Sequence, residues 1–347
     1  MGKTVSFQQD TVSIPNFELE NGEHFQEIQL AYERYGPTDA PTILVCHALT
    51  GNQYAVGTDA EPGWWRGLIS EDGYIDTRHH QVITFNVLGG CDGSTGPASF
   101  GADQSSFPQL TIRDLVEAQF VALNILGIDH LKAIIGGSLG GMQVLEWGLM
   151  YPNFMDALFP LAVTPTFSDY AIAFNHIAKE AINQDLKENN NNQAKNGLRL
   201  ARMIGMVTYR PDVLFEERFS RSHNEEGFEV ESYLNYQGEK LANRFNPLSY
   251  IRLLEAMNGH DIFRNRGERK KVIRQFEAPI FALGFSKDLL YPPSEIQAFI
   301  NEIVLNGGYA EFQEIETNFG HDGFLVEFEK WGPLIQEKLE SLETIKN

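Results

Sequence analysis

Cysteine is scarce in this chain: Cys46 and Cys91 are the two in 347 residues. Two thiols cannot build a disulfide framework, and each lies in an apolar or glycine-rich stretch. Neither C-x-x-C nor H-E-x-x-H spacing occurs, so no metal is expected, and the neighbours His79 and His80 read as loop-surface residues. No apolar run approaches the ~20 residues of a membrane span. The opening residues MGKTVSFQQD lack the apolar core of a signal peptide, and their Met-Gly start lacks the rest of a myristoylation signal, so a cytosolic protein is expected. Basic residues are also few, 27 against 47 acids for a net charge of −20. That balance argues against nucleic acid or an anionic membrane as a partner.

The bases are unevenly distributed. Residues 165–275 hold 17 Lys and Arg against 15 Asp and Glu, while the rest of the chain holds 10 against 32. A basic middle segment suits an anionic ligand, and it suits a solvated helical surface equally well. The hydrophobic share of 42% is that of an ordinary globular protein, and the length allows one elaborated domain or two.

The stretch Leu131–Trp147, LKAIIGGSLGGMQVLEW, carries the strongest local signal. An apolar run (Ala133, Ile134, Ile135) meets a glycine-rich turn, and Met142, Val144, Leu145 and Trp147 then recur at helical spacing. Strand, tight turn and helix with Ser138 at the apex of G-x-S-x-G is the pattern of a nucleophile elbow. Gly140 and Gly141 allow strand and helix to approach closely, and the Leu139 amide, at the helix N-terminus, is placed to donate to an oxyanion. A phosphate loop is excluded because no Gly-Lys-Ser/Thr follows.

Around the elbow, strands are expected at residues 41–46, 81–87, 157–163, 279–285 and 312–315, with a strand or hairpin over 16–36. Thr111 is the expected N-cap of an amphipathic helix reaching Leu126. From Thr164 to about Gln275 the periodicity turns helical (170–182, 197–207, 230–243, 247–257), and the tract Asn189–Asn192 reads as a flexible connection. This predicts a core of residues 1–164 and 276–347, with an all-helical insertion over 165–275. Helices 294–305 and 324–342 complete it. Strands alternating with helices imply a mostly parallel sheet covered on both faces.

A serine nucleophile needs a base and an orienting acid, on loops after later strands in the order Ser, Asp, His. The loop Ser286–Pro293 offers one carboxylate, Asp288, and the loop Asn318–Gly323 one imidazole, His321. The turn after the 41–46 strand, His47-Ala48-Leu49-Thr50-Gly51, is where a second oxyanion amide arises; His47 itself reads as structural.

HALTG (47–51), NVLGGCDGSTGP (86–97), GGSLGGMQVLEW (136–147), GLRLARMIGMVTYR (197–210), YLNYQGEKLANRF (233–245) and GHDGFL (320–325) together resemble the homoserine O-acetyltransferases, over nearly the whole chain. The resemblance implies an α/β-hydrolase fold with a helical lid that also forms a homodimer contact. It further implies ping-pong transfer of acetyl from acetyl-CoA to L-homoserine, with no bound cofactor. By the same resemblance Ser138 is the acylated nucleophile, and Asp288 and His321 complete the triad. Asp322 binds the substrate ammonium, Arg202 its carboxylate, and Leu139 with Leu49 or Thr50 supplies the oxyanion amides. For Arg202 a lid salt bridge is the competing reading. The chain departs from the family in having Arg244-Phe245-Asn246 where RFD is usual, and in a basic, less typical 246–275. Related chemistries remain open from sequence: a succinyl-CoA donor, a serine acceptor, or an esterase, amidase or lactonase on the same fold. A binding protein that has lost its triad is disfavoured by the intact Ser138, Asp288 and His321.

Overall fold

The computed structural model describes residues 7–189, 193–225 and 227–345. The Met-Gly start and residues 190–192 of the asparagine tract lie outside these. One sheet holds eight strands: β1 (Phe7–Glu18), β2 (His24–Tyr35), β3 (Thr42–Cys46), β4 (Gln81–Phe85), β5 (Ala133–Gly137), β6 (Leu158–Leu161), β7 (Ile280–Phe285) and β8 (Ala310–Ile315). Their order is β1-β2-β4-β3-β5-β6-β7-β8. The pairs β1–β2 and β2–β4 are antiparallel, and every later neighbour is parallel, the mostly parallel sheet that the alternation of elements implies.

The central strands are short apolar runs because both sheet faces are covered. Alternate residues sort into two separate cores. Leu44, Ile83, Ile134 and Ile280 join the side packed by α1 (Ile112–Ile125) and α2 (Leu139–Met150). Ile43, Val82, Ala133 and Phe281 join the opposite core with Trp65, Trp331 and Leu339. Thr111 caps α1 as expected: its hydroxyl accepts from the Asp114 amide (3.2 Å), and the Asp114 carboxylate accepts from the Thr111 amide (2.7 Å).

Between β6 and β7 come α3 (Asp169–Asn189), α4 (Lys195–Tyr209), α5 (Asp212–Phe219), α6 (Glu229–Ala242), α7 (Pro247–Asn258) and α8 (Arg269–Ile273). Four of these match the periodic segments. α5 and α8 are too short to display a period, and the segment is not purely helical, since His223–Asn224 pairs with Gly227–Phe228. α9 (Pro293–Leu305) and α10 (Phe328–Ile345) follow. The start expected for the last helix is instead a 3-10 turn, Gly320–Leu325. Of the adjacent histidines, His79 is exposed, but His80 is half-buried with Nδ1 3.3 Å from the Asp76 carbonyl, which corrects the surface reading. No helix among the described residues is long and apolar enough to cross a membrane.

Candidate active site

Loops leaving the C-terminal ends of β3, β5, β7 and β8 build the site, as parallel α/β sheets favour. At the elbow the strain falls on the serine. Ser138 has φ 57° and ψ −122°, while the flanking glycines serve close approach. A Cβ on Gly140 would stand 2.1 Å from the Cys46 carbonyl oxygen, one on Gly141 2.7 Å from Val163, and one on Gly137 2.4 Å from the Phe324 ring. Ser138 is buried, its amide donating to the Leu161 carbonyl (3.0 Å), and α2 begins with the next residue. The Leu139 amide therefore precedes the first intrahelical bond.

Asp288 and His321 are brought together by the β7 and β8 loops. His321 Nδ1 lies 2.7 Å from Asp288 Oδ2, and the other Asp288 oxygen accepts from the amides of Leu290 (2.9 Å) and Tyr291 (3.0 Å). A carboxylate held on three donors is fixed in orientation; it favours in turn the imidazole tautomer with Nδ1 protonated, which leaves Nε2 as an acceptor. The two loops are stapled beneath: Ser286 Oγ donates to the Thr317 carbonyl (2.9 Å) and accepts from the Thr317 amide (2.8 Å). Tyr291 stacks on the His321 ring (5.1 Å between centroids, 24°) and Tyr209 of α4 approaches it from the segment between β6 and β7 (5.7 Å).

The β3 turn closes through the Gly51 amide to the Ala48 carbonyl (2.8 Å), and the Leu49 and Thr50 amides have no partner among the described residues. His47 beside them is structural. It is buried, with Nδ1 2.8 Å from the Ala48 carbonyl and Nε2 accepting from the Val87 amide (3.1 Å), and burial pushes its pKa down to about 4. A neutral imidazole thus ties the β3 loop to the β4 loop.

Arg202, half-buried on α4, lies over the Tyr209 ring (5.9 Å) and makes no ion pair among the described residues, so the salt-bridge reading does not apply. Asp322 is engaged: its Oδ2 accepts from Arg210 Nε (2.7 Å), and Arg210 Nη1 donates to the Tyr233 hydroxyl (2.6 Å). Sequence reasoning passed over Arg210, although it ends the quoted segment GLRLARMIGMVTYR. It also passed over Tyr291, three residues after the acid.

The alpha/beta hydrolase fold family matches residues 41–328. A homoserine O-acetyltransferase of Moorella thermoacetica is 41% identical, the match covering 93% of each chain. A solved homoserine O-acetyltransferase of Staphylococcus aureus is 37% identical with a TM-score of 0.83, covering 96% of this chain and 95% of that one. This chain belongs to the homoserine O-acetyltransferase family. The scaffold alone would not have decided it, since an acetylester hydrolase of Corynebacterium glutamicum superposes with a TM-score of 0.81 at 24% identity, over 96% of this chain and 95% of that one.

Two departures from the family pattern now have physical accounts. Asn246 caps α7, its side-chain oxygen accepting from the Ser249 amide (2.9 Å), a task that Asp and Asn perform equally well. Its amide nitrogen adds a bond to Gln104 (2.9 Å) that a carboxylate could not donate. Three of the seven bases in the 246–275 segment pair with core carboxylates: Arg264 with Glu20 (2.6 Å), Arg266 with Glu146 (2.5 Å) and Arg269 with Glu302 (2.7 Å). Arg113 of α1 joins Glu20 (2.9 Å) to Glu146 (3.4 Å) in the same network. These pairs anchor the segment to the core. By contrast Arg202, Arg218 and Arg244 pair with no described carboxylate; Arg218 lies over Tyr233 (4.4 Å), and Arg244 donates to the Thr50 carbonyl (2.7 Å).

Proposed function

We propose that the chain is a cytosolic homoserine O-acetyltransferase. It moves acetyl from acetyl-CoA to the hydroxyl of L-homoserine through acyl-Ser138, with residues 165–275 as its lid. The observation that carries the reading is the buried His321–Asp288 pair on the loops after β7 and β8, with a strained elbow serine after β5, in a chain that resembles acetyltransferases over nearly its whole length. Ser138 Oγ attacks the thioester carbonyl while His321 Nε2 takes its proton. The oxyanion is held by the Leu139 amide and by that of Leu49 or Thr50, and the tetrahedral species expels CoA thiolate, which takes the proton from His321. In the second half the homoserine hydroxyl gives its proton to Nε2 and attacks the acyl carbon. Ser138 Oγ leaves and recovers the proton, and the ester departs.

Water competes with homoserine at that second step, and a lid that orients the alcohol favours transfer, since positioning is worth roughly 7–11 kcal/mol. Arg202 is the proposed fork for the amino-acid carboxylate, being half-buried and unpaired. Asp322 is the proposed partner of the ammonium, with Oδ1 open while Oδ2 is held by Arg210. The unpaired Arg218 and Arg244 are proposed to lessen repulsion of the CoA phosphates by an acidic molecule. Exposed apolar side chains on three lid helices, Tyr170 and Ile177 on α3, Leu200 and Val207 on α4 and Tyr236 on α6, support a homodimer through the lid.

The test is thiol release from acetyl-CoA and from succinyl-CoA, each with and without L-homoserine. Homoserine-dependent release from acetyl-CoA, abolished in Ser138→Ala, is expected. Release from acetyl-CoA that ignores homoserine would replace the transferase by a hydrolase, and preference for succinyl-CoA would change the donor.

A further inference from the structure

Tyr291 touches the triad at more points than its role as a neighbour requires. Its amide holds the Asp288 carboxylate (3.0 Å), and one ring face stacks on His321 (5.1 Å between centroids). The ring also packs against Phe167 (5.7 Å), at the start of the lid segment. The side chain is fully buried, and its hydroxyl has no hydrogen-bond partner among the described residues. A phenylalanine would supply the amide, the stack and the packing without burying an unsatisfied hydroxyl, which is itself destabilising. The hydroxyl therefore calls for a partner in the working enzyme. The elbow adjoins this cluster: the Phe324 ring that lies against Gly137 also meets the His321 ring (5.4 Å between centroids), and the Ser138 hydroxyl acts on the Tyr291 phenol without an aligned hydrogen bond.

We infer that the Tyr291 hydroxyl is a positioning donor to Ser138 Oγ. A serine oxygen has one proton and two lone pairs. With one lone pair occupied by a phenolic O–H, the serine proton is directed at His321 Nε2 and the remaining lone pair at the incoming carbonyl. Burial pushes the phenol well above its ordinary pKa, with the charge of Asp288 adding to the effect, so it stays a protonated donor throughout the working range. In the acyl-enzyme the same donor lies beside the ester oxygen that must leave as Ser138 is regenerated. Tyr291 thus serves both half-reactions, acting through the nucleophile and touching neither CoA nor homoserine.

The inference rests on Ser138 being the proposed nucleophile, and Tyr291→Phe tests it because only the hydroxyl is removed. Three quantities are read: the rate at which an alkyl fluorophosphonate labels Ser138, the first-turnover rate of thiol release from acetyl-CoA, and Tm. Labelling forms the Oγ–P bond and expels fluoride, and it needs neither acyl donor nor acceptor. The expected result is a loss of about tenfold in both rates, the size of one net hydrogen bond. KM for L-homoserine stays unchanged and Tm is equal or higher. Labelling within twofold of wild type would overturn the inference, leaving the hydroxyl a purely structural feature. A fall in rate accompanied by a fall in Tm would also overturn it, because packing would then be the cause. If the wild type labels normally but releases no thiol from acetyl-CoA, the acetyltransferase reading fails while the labelling comparison still decides the role of Tyr291.

Discussion

Ser138 occupies a backbone region that costs a side-chain-bearing residue roughly 1–3 kcal/mol, and the loops that face it are bent in the same sense, with Lys287 at φ 64° and Gly320 at φ 57°. Gly320 takes its positive φ without strain, and the strain at Ser138 and Lys287 is offset by bonds that lock the facing loops, above all the Ser286–Thr317 staple and the three donors on Asp288. Arg202 is the residue whose proposed role is most exposed to test. Arg202→Lys keeps the charge and removes the fork, so KM for L-homoserine should rise by about tenfold or more, as expected for a lost charge-assisted hydrogen bond. First-turnover thiol release from acetyl-CoA should be unchanged. Steady-state kinetics at saturating donor read the first quantity, and an unaltered KM would remove Arg202 from the substrate site.

At the scale of elements, the strand–elbow–helix unit holds together because Gly136, Gly140 and Gly141 leave no room for a methyl group. Gly140 lies outside the left-handed region, so the obstacle to a side chain there is contact with Cys46 and not backbone conformation. Gly140→Ala should therefore destabilise the fold by about 1–3 kcal/mol or more, as overpacking does. A urea unfolding curve that matches the wild type would show that β3 and α2 can separate freely. The same unit explains how much could be read from sequence. G-x-S-x-G between an apolar run and a helical period is local, as is the order of Asp288 and His321 after later strands, so the sheet and the three central residues were legible. α5 and α8 were not, because helices of eight and five residues show no period. Nor were the Arg210–Asp322 pair and the Phe167–Tyr291 contact, which depend on side chains meeting across 112 and 124 positions of chain; no spacing rule reaches that far. The role of the basic 246–275 segment stayed open for the same reason, its partners Glu20, Glu146 and Glu302 lying on distant elements.

In the whole molecule, the acidic core and the near-neutral segment 165–275, the proposed lid, are complementary. Core carboxylates bind Arg264, Arg266 and Arg269, while Arg202, Arg218 and Arg244 pair with no carboxylate among the described residues. The apolar side chains left on α3, α4 and α6 predict that light scattering will give the mass of a dimer, and that Val207→Asp with Tyr236→Asp will give a monomer; a wild-type monomer would rule out the lid contact. The central claim is that acetyl passes through Ser138, and it is read most directly by mass spectrometry of the enzyme mixed with acetyl-CoA alone and then with L-homoserine. An acetyl group on the Ser138 peptide that is discharged quickly by homoserine and slowly by water is the predicted result. A serine that is never acetylated, or one that water clears as fast as homoserine does, would contradict it.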